Sequence, residues 1–463
     1  MRFFNCMIFI ITCALIGCKN EENRVVIDTT SPEGHAFSFM PIYEKGVTDI
    51  TIYIAWPMDW AYRETTNKAV PFIGAQAILS GGTADITPME LMESFNDKNS
   101  SGILTPTADY VFGQLSFPKE YREEVIKTAS EMLHTPIFEE KWIGRIKEQI
   151  TDNMERTYAH TPNLLWRVVR QATLGDVPVN DYLNLADPSE ISAVDVSMLR
   201  RWHKETFTQS NLKISVTGAI SREDAGRSID QLLRNLPKGE QMQSPASKAD
   251  FSPRKLYLHV PEAEKTTLAL IAALPPTSDG KDAQDFLALS YFSQAGDKPL
   301  FEAMRTQLRA SYGFQGGISN YDRTTRLFHI AGEVEAEKLN EAVLLLQEVY
   351  ETYRTAPDLS DFSDLRANIT SAVKDNSRYV DTSAYILLQL LLDGIDTKKA
   401  PNIHKEFENT TAKDIAERMR TVYPKADNLI IVAVGPNGGG FDGACVVTSY
   451  KEVLNCPQVA EIT

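Results

Sequence analysis

The sequence lacks the features that mark nucleic-acid-binding and membrane-spanning proteins. Its 463 residues include 47 lysines and arginines against 62 aspartates and glutamates, a formal net charge of −15, with no basic run to neutralise phosphates. We therefore exclude a nucleic-acid partner. The acidity favours solubility, although an acidic interior that draws in basic peptides stays open. The apolar run Met7–Ile16 near the N terminus is too short to span a bilayer as a permanent helix.

Histidine is scarce, with seven in the chain, and the closest two, His134 and His160, are 26 positions apart. Two histidines bind one metal ion from a single helix only when about one turn separates them, so such a pair is excluded. A scattered histidine is more often a surface or core residue than a ligand. We expect that of all seven: His35, His134, His160, His203, His259, His329 and His404.

The N terminus predicts an exported protein. Met7–Ile16 has the size of a signal-peptide core, and it runs into Leu-Ile-Gly-Cys, which resembles the bacterial lipobox ending at Cys18. We expect a signal peptide over 1–17, a lipid on Cys18, and a tether over 18–27. The mature chain would be an envelope lipoprotein of the outer membrane, facing the periplasm or the cell surface. The alternative is an ordinary signal peptide with an incidental cysteine.

Cysteine is also rare, and its five positions agree with export. Cys6 and Cys13 would leave with the signal peptide, and Cys18 would carry lipid. Cys445 and Cys456 then remain, and two thiols in an exported chain predict a disulfide that holds the C-terminal tail.

Two distant segments of the chain repeat each other. Asn211–Gly218 (NLKISVTG) and Asn428–Gly435 (NLIIVAVG) are both β-branched runs that follow a predicted helix. Upstream, Thr135–Thr151 resembles Ala356–Thr370, and each segment precedes its repeated strand by nearly the same number of residues. A repeat of this length is a whole domain used twice, so function is expected where two related domains face each other.

The repeat predicts two homologous α+β domains, each a mostly antiparallel sheet with packed helices. The first half opens with a strand, a helix near Val70–Leu79 and a β-hairpin across Gly102–Phe117. Lys238–Arg254 is polar and without periodicity, which is typical of an exposed linker. The expected boundaries are 28–237 for the N-terminal domain, 238–254 for the linker, 255–436 for the C-terminal domain and 437–463 for a tail.

Gly82-Thr83 after the first helix and Leu300–Gly313 (LFEAMRTQLRASYG) give the chain a family resemblance. With duplicated halves of this size, it resembles the M16 metallopeptidases, the insulinase or pitrilysin family, in the short-chain branch that includes the mitochondrial processing peptidase. The resemblance covers about Val25 to Gly435. It implies a half-clamshell: a pair of related domains that closes with a second pair around a peptide.

Active members of that family carry H-x-x-E-H on the first helix, where two histidines bind zinc and the glutamate activates a water. Counting back from Gly82-Thr83 places Ile73, Gln76 and Ala77 at those positions. None can bind zinc or accept the proton, so we expect no catalytic residue, metal or cofactor in this chain. Glu148 falls near the third zinc ligand, and without the histidines we expect a solvated carboxylate.

The second half keeps a family pattern, an arginine on a helix followed seven positions later by a tyrosine at a strand, at Arg305 and Tyr312. The resemblance implies that this pair donates hydrogen bonds to substrate at a partner's zinc site. The alternative is an arginine on a polar helix face and a tyrosine at a strand edge. In the first half, Pro106 within Gly102–Thr107 lacks an N–H and favours an edge that avoids pairing.

The sequence therefore predicts a non-catalytic M16 lipoprotein subunit that pairs with a zinc-bearing, H-x-x-E-H chain and helps bind a peptide substrate for proteolysis. Zinc is expected in the partner. One alternative is a homodimeric peptide-binding or scaffolding lipoprotein without a protease partner. Another is an M16 metallopeptidase with a relocated metal site.

Overall fold

The computed structural model of the chain describes residues 24–185, 187–242, 245–294, 298–309 and 311–459. The expected signal peptide and Cys18 lie outside these residues. None of the helices within them is both long and apolar enough to cross a bilayer.

Strands and helices alternate along both halves of the described chain. The strands are β1 (Ile27–Thr30), β2 (Ala36–Pro41), β3 (Asp49–Pro57), β4 (Ser101–Pro106), β5 (Tyr110–Pro118), β6 (Lys213–Gly218), β7 (Lys255–His259), β8 (Thr266–Leu274), β9 (Ser311–Asn320), β10 (Arg326–Val334), β11 (Ile430–Gly435) and β12 (Cys445–Val447). The helices of the first half are α1 (Val70–Ser80), α2 (Pro88–Asp97), α3 (Arg122–His134), α4 (Glu140–Tyr158), α5 (Thr161–Leu174), α6 (Pro178–Asn184), α7 (Pro188–Ala193), α8 (Val196–Thr206) and α9 (Arg222–Leu233). Those of the second half are α10 (Asp282–Ser293), α11 (Pro299–Phe301), α12 (Leu339–Thr355), α13 (Phe362–Asn376), α14 (Val380–Asp393), α15 (His404–Glu408) and α16 (Ala412–Thr421), with a π-helix over Glu302–Gln307.

The two six-stranded sheets share one topology. The order β2-β6-β3-β5-β4 in the first sheet is matched by β7-β11-β8-β10-β9 in the second. In both, the first pair is parallel and the later pairs are antiparallel. β1 extends the first sheet beside β2, and β12 extends the second beside β7. The predicted fold of two homologous α+β halves is confirmed.

The glycine that ends each repeated strand is required sterically. A Cβ on Gly218, whose φ is +125°, would lie 2.2 Å from the carbonyl oxygen of Asp49. A Cβ on Gly435 would lie 2.2 Å from the hydroxyl of Thr266. Both glycines let the neighbouring strand approach the end of the repeat, which explains why the sequence echo stops at the same residue type.

One helix of each half packs on the sheet of the other half, and we call these two the exchanged helices. α5 of the first half packs on β8 and β11 of the second sheet, and α14 of the second half packs on β2, β3 and β6 of the first. Along β11, Val432 belongs to the same apolar cluster as Leu165 and Val169 of α5, whereas Ile431 and Ala433 belong to the cluster of the second half. The second sheet is therefore buried on both faces.

Two segments expected to be outside the fold are part of it. In the predicted linker, the Ser247 N–H donates to Asp322 at 2.6 Å and the Arg254 side chain is buried. The predicted tether of 18–27 is too long, because Val26 is buried and Arg24 is held by several hydrogen bonds. Polar composition suggested exposure at both places, but tertiary hydrogen bonds satisfy these groups.

The described part of the C-terminal segment, residues 437–459, also belongs to the fold. Cys445 and Cys456 form a disulfide, as expected from the cysteine count. The loop that it closes packs on α5, where the Tyr450 ring lies 4.3 Å from the Arg167 guanidinium and Val453 is fully buried. The C-terminal loop of the second half thus packs against a helix of the first half.

Candidate functional site

The helix at the expected zinc position, α1, is built into the core of the first half. It begins after Ala69 with Pro71 in its first turn and packs on β4, α4 and α8. Ile73 and Ala77 are 0% and 2% exposed, whereas Gln76 faces solvent. Hydrocarbon side chains occupy the inward positions that a metal site would use.

These residues do not fit a zinc ion. Ile73 and Ala77 have no lone pair, and the amide of Gln76 cannot take a proton from a water as a carboxylate does. Glu148 lies exposed on α4, as expected of a solvated carboxylate. We therefore derive no zinc chemistry from this chain.

A different cluster is formed by Glu33, His35 and Asp230, whose ligand atoms lie within 4.8 Å of one another. Its carboxylates already have partners. Asp230 accepts from the Ser31 hydroxyl and from the Glu33 N–H at 3.0 Å, and Glu33 pairs with Arg234 at 3.4 Å. The arrangement fastens the β1–β2 turn to α9, and the neighbouring guanidinium opposes a cation.

Beside α1, the strand β4 forms one edge of the first sheet. Ile103 on this edge is 46% exposed, and Pro106 ends the strand opposite Val111. Beneath it lies a cavity of about 60 Å³, whose lining is almost entirely apolar and includes Ile78, Leu79, Phe95, Leu104 and Met132. This region can hold apolar groups, but it offers no nucleophile or acid.

Arg305 lies on the π-helix of the second half. The widened turn shows in the bond from the Leu308 N–H to the Ala303 carbonyl, five residues back, at 3.0 Å. The Arg305 side chain is exposed, and its guanidinium carbon lies 5.2 Å from the centre of the Phe301 ring. Single π turns within helices are frequent at functional sites, and here the turn carries a cation to the surface.

Tyr312 lies at the start of β9, and its side chain is outside the described part of the structure. The register between β9 and β10 shifts between Gly332 and Val334, so Tyr312 and Gly313 of β9 stand against the single residue Glu333 of β10 and form a bulge. The π-helix packs directly against β9. The structure thus places Arg305 and Tyr312 on adjacent irregular elements of the second half, and Ile73, Gln76 and Ala77 on α1 of the first.

With this geometry, the chain can be compared with known proteins. Residues 193–369 match the family model described as the Peptidase M16 inactive domain. The peptidase M16 inactive domain from Pseudomonas fluorescens has the same fold, with a TM-score of 0.79 at 18% identity over 89% of this chain and 98% of that one. The chain is M16-like. Comparison with curated proteins finds no match.

Two longer proteins set the size of the M16-like unit. The ferredoxin protease FusC, solved as a mutant in complex with Arabidopsis ferredoxin, matches 93% of this chain but only 48% of its own, with a TM-score of 0.71 and 12% identity. The periplasmic protease PqqL from Escherichia coli matches 96% of this chain and 52% of its own, with a TM-score of 0.68 and 13% identity. The M16-like chain corresponds in length to about half of each.

The sequence predicted a degenerate zinc helix at α1, which stays a prediction, and it gave no sign of the irregular backbone of the second half. The apolar spacing of Leu300, Met304 and Leu308 is that of an ordinary α-helix, so nothing in it predicts the π turn. The sequence pattern does not predict the bulge at Tyr312 either, although Gly313 next to it is the residue type that bulges favour.

Proposed function

We propose that this chain is a non-catalytic M16-like subunit that pairs with a separate zinc-bearing, H-x-x-E-H chain and helps bind its peptide substrate. The observation that carries the proposal is α1, where Ile73 and Ala77 are buried hydrocarbon and Gln76 is a neutral amide. A helix of this composition supports the fold and leaves hydrolysis to another chain.

The length comparison supports pairing. FusC and PqqL are about twice as long as the region they share with this chain, so each has room for a second unit of the same size. A chain that supplies one unit needs a second chain to enclose a peptide. Both longer proteins are described as proteases, and one was solved with a protein bound.

In this proposal, Arg305 and Tyr312 face the substrate at the partner's zinc site. An exposed guanidinium and a phenol both donate hydrogen bonds, and they can stabilise a developing oxyanion without titrating near neutrality. The π-helix and the bulge support this role, because such irregularities often serve to present functional side chains.

We further propose that the chain is anchored to the outer membrane through a lipid on Cys18. The lipobox-like sequence before Cys18 supports this location, as does a disulfide between the two cysteines near the C terminus. The substrate would then be a peptide outside the cytoplasm.

The test is to purify this chain and an H-x-x-E-H chain encoded beside it, separately and together, and to assay peptide cleavage. We expect no cleavage by this chain alone and full activity only in the pair. Arg305→Ala should lower kcat/KM of the pair by about 10²-fold while assembly is unchanged. The control is Arg200→Ala, which removes another exposed arginine, on α8, and should leave activity intact.

Two outcomes would contradict the proposal. Chelator-sensitive cleavage by the isolated chain would instead mean a peptidase with a relocated metal site. A pair whose activity is insensitive to Arg305→Ala, or a chain that forms only homodimers, would favour a peptide-binding or scaffolding lipoprotein.

A further inference from the structure

The first described residue is fixed to both halves of the molecule. The Arg24 guanidinium donates to Glu44 at 2.8 Å, to the carbonyl of Ser377 at 2.8 Å and to that of Arg378 at 3.0 Å. It also donates to the hydroxyl of Ser383 in the first turn of α14 at 3.2 Å. Arg24 is therefore held at a defined point of the folded body.

Large apolar side chains are exposed next to that point. Val25 is 57% exposed, and Tyr43 and Tyr379 are each 64% exposed. Each adjoins a group that Arg24 holds: Val25 follows Arg24 itself, Tyr43 precedes Glu44, and Tyr379 follows Arg378. Single exposed apolar residues are ordinary, but these three are Arg24's own neighbour and the neighbours of two residues that Arg24 binds, so they lie around the same point of the surface. We call Arg24, Val25, Tyr43 and Tyr379 the Arg24 face.

The Arg24 face is nearly balanced in charge. Glu44 neutralises Arg24, and Arg378 pairs with Asp375 at 3.6 Å. Lys45 is exposed beside Glu44. An attraction to anionic headgroups is therefore not the feature that distinguishes this surface; its tyrosine rings are.

We propose that the Arg24 face lies on the bilayer that holds the lipid anchor, with Tyr43 and Tyr379 at the level of the headgroups. The inference rests on the lipid at Cys18 that belongs to the proposed function. Arg24 follows Cys18 by six positions, and an extended chain covers at most about 3.5 Å per position, so Arg24 stays within about 21 Å of the anchored cysteine.

Tyrosine suits this position, because its ring is apolar and its hydroxyl remains hydrated at a membrane–water interface. The hydroxyl of Tyr43 is satisfied instead by the carbonyl of Ile220 at 2.9 Å, so its largely exposed ring is held in place. The short tether makes the contact intramolecular, so a weak affinity for lipid is sufficient to hold it. The contact would orient the subunit on the membrane.

The test uses the full lipoprotein with a single introduced cysteine, Tyr43→Cys or Tyr379→Cys, labelled with monobromobimane and reconstituted in phosphatidylcholine vesicles. The disulfide occupies Cys445 and Cys456, so the introduced thiol is the one that reacts. Leu344→Cys on α12, 67% exposed, is the matched control. We expect doxyl-labelled lipid to quench bimane at both tyrosine positions by about half or more and to leave the control unchanged, at low and high salt alike.

Mass spectrometry of the same sample reports acylation of Cys18 and separates two failures. If Cys18 carries no lipid, the proposed anchor fails, and this inference fails with it. If Cys18 is acylated but neither tyrosine position is quenched more than Leu344→Cys, the inference alone is overturned. Tyr379→Cys carries the test by itself should loss of the Tyr43 hydrogen bond disturb folding.

Discussion

The two exchanged helices are held in opposite ways. α5 lies on an apolar surface of the second sheet, where Ile271, Ile430 and Val432 are fully buried in one cluster with Leu165 and Val169 of the helix. The contact is mainly hydrophobic, and its strength follows from the area removed from water.

α14 lies on a buried polar surface of the first sheet. The hydroxyl of Ser215 donates to the carbonyl of Ala384 at 2.8 Å, and that of Thr217 donates to the carbonyl of Val380 at 2.6 Å. Ser215 and Thr217 are both 0% exposed. Hydroxyls that donate to helix carbonyls fix the position of α14 but contribute modestly to stability, because each replaces a bond to water.

The difference indicates which contacts keep the halves together. The α5 side is packed by fully buried apolar side chains, and the disulfide-closed C-terminal loop covers the same helix. The α14 side has instead the polar ties of Arg24 to Ser377 and Ser383. We infer that stability resides mainly on the α5 side, whereas the α14 side sets orientation near the Arg24 face.

The largest effect is expected where the apolar contact is broken. Ile271→Ala removes a fully buried side chain of β8 from the cluster that holds α5. We expect a loss of about 2–4 kcal/mol in the free energy of unfolding, measured by urea denaturation, because a cavity remains. A loss below about 1 kcal/mol would mean that α5 does not depend on this surface.

The C-terminal loop should come next. Cys456→Ser opens the loop that places Tyr450 against Arg167 of α5, and we expect a loss of about 2–3 kcal/mol in unfolding free energy. Urea midpoints with and without reductant provide the measurement. In Cys445→Ser/Cys456→Ser the reductant should change nothing. If the reductant leaves the urea midpoint of the wild-type protein unchanged, the disulfide-closed loop does not stabilise the α5 contact.

The two related sheets could be predicted from the sequence, but the polar contact of α14 could not. The β-branched runs ending at Gly218 and Gly435 predicted the two related sheets, because burial is encoded locally by apolar residues. The hydroxyls of Ser215 and Thr217 within one of those runs were passed over. Their partners are carbonyls more than 160 positions along the chain, so no local pattern reveals that this face is polar and covered.

The candidate site divides in the same way. The predicted absence of zinc ligands at Ile73, Gln76 and Ala77 rests on residue identity and on a count along one helix, and both can be read from the sequence. The π-helix around Arg305 depends instead on how the chain packs between β9 and α12. Such backbone irregularities are set by tertiary contacts that override the regular spacing of the apolar residues.

A smaller effect is expected from acid, and on the α5 side. His329 on β10 meets the Trp166 ring of α5 edge-on at 4.9 Å, and burial lowers the pKa of its imidazole from 6.5 to about 4. Because the pKa of His329 is lower in the folded state than in the unfolded state, the neutral imidazole stabilises the fold. This stabilisation is complete above about pH 6.5 and is lost as pH falls towards 4.

Between pH 7 and pH 4.5, wild type should therefore lose about 1–2 kcal/mol more unfolding free energy than His329→Gln. Urea titrations of both proteins at each pH measure the difference. α14 contains no histidine, so its contact should not share this response. If the unfolding free energies of the two proteins fell in parallel with pH, His329 would not contribute to the pH dependence of the α5 contact.

The smallest effect is expected on the α14 side. Thr217→Val keeps the shape of the side chain and removes the hydroxyl that donates to Val380, whose carbonyl still accepts a bond within the helix. We expect a loss of at most about 1 kcal/mol in unfolding free energy by the same urea assay, several-fold less than for Ile271→Ala. A loss as large as that of Ile271→Ala would reverse the comparison, since it would mean that hydrogen bonds rather than apolar area hold the exchanged helices in place.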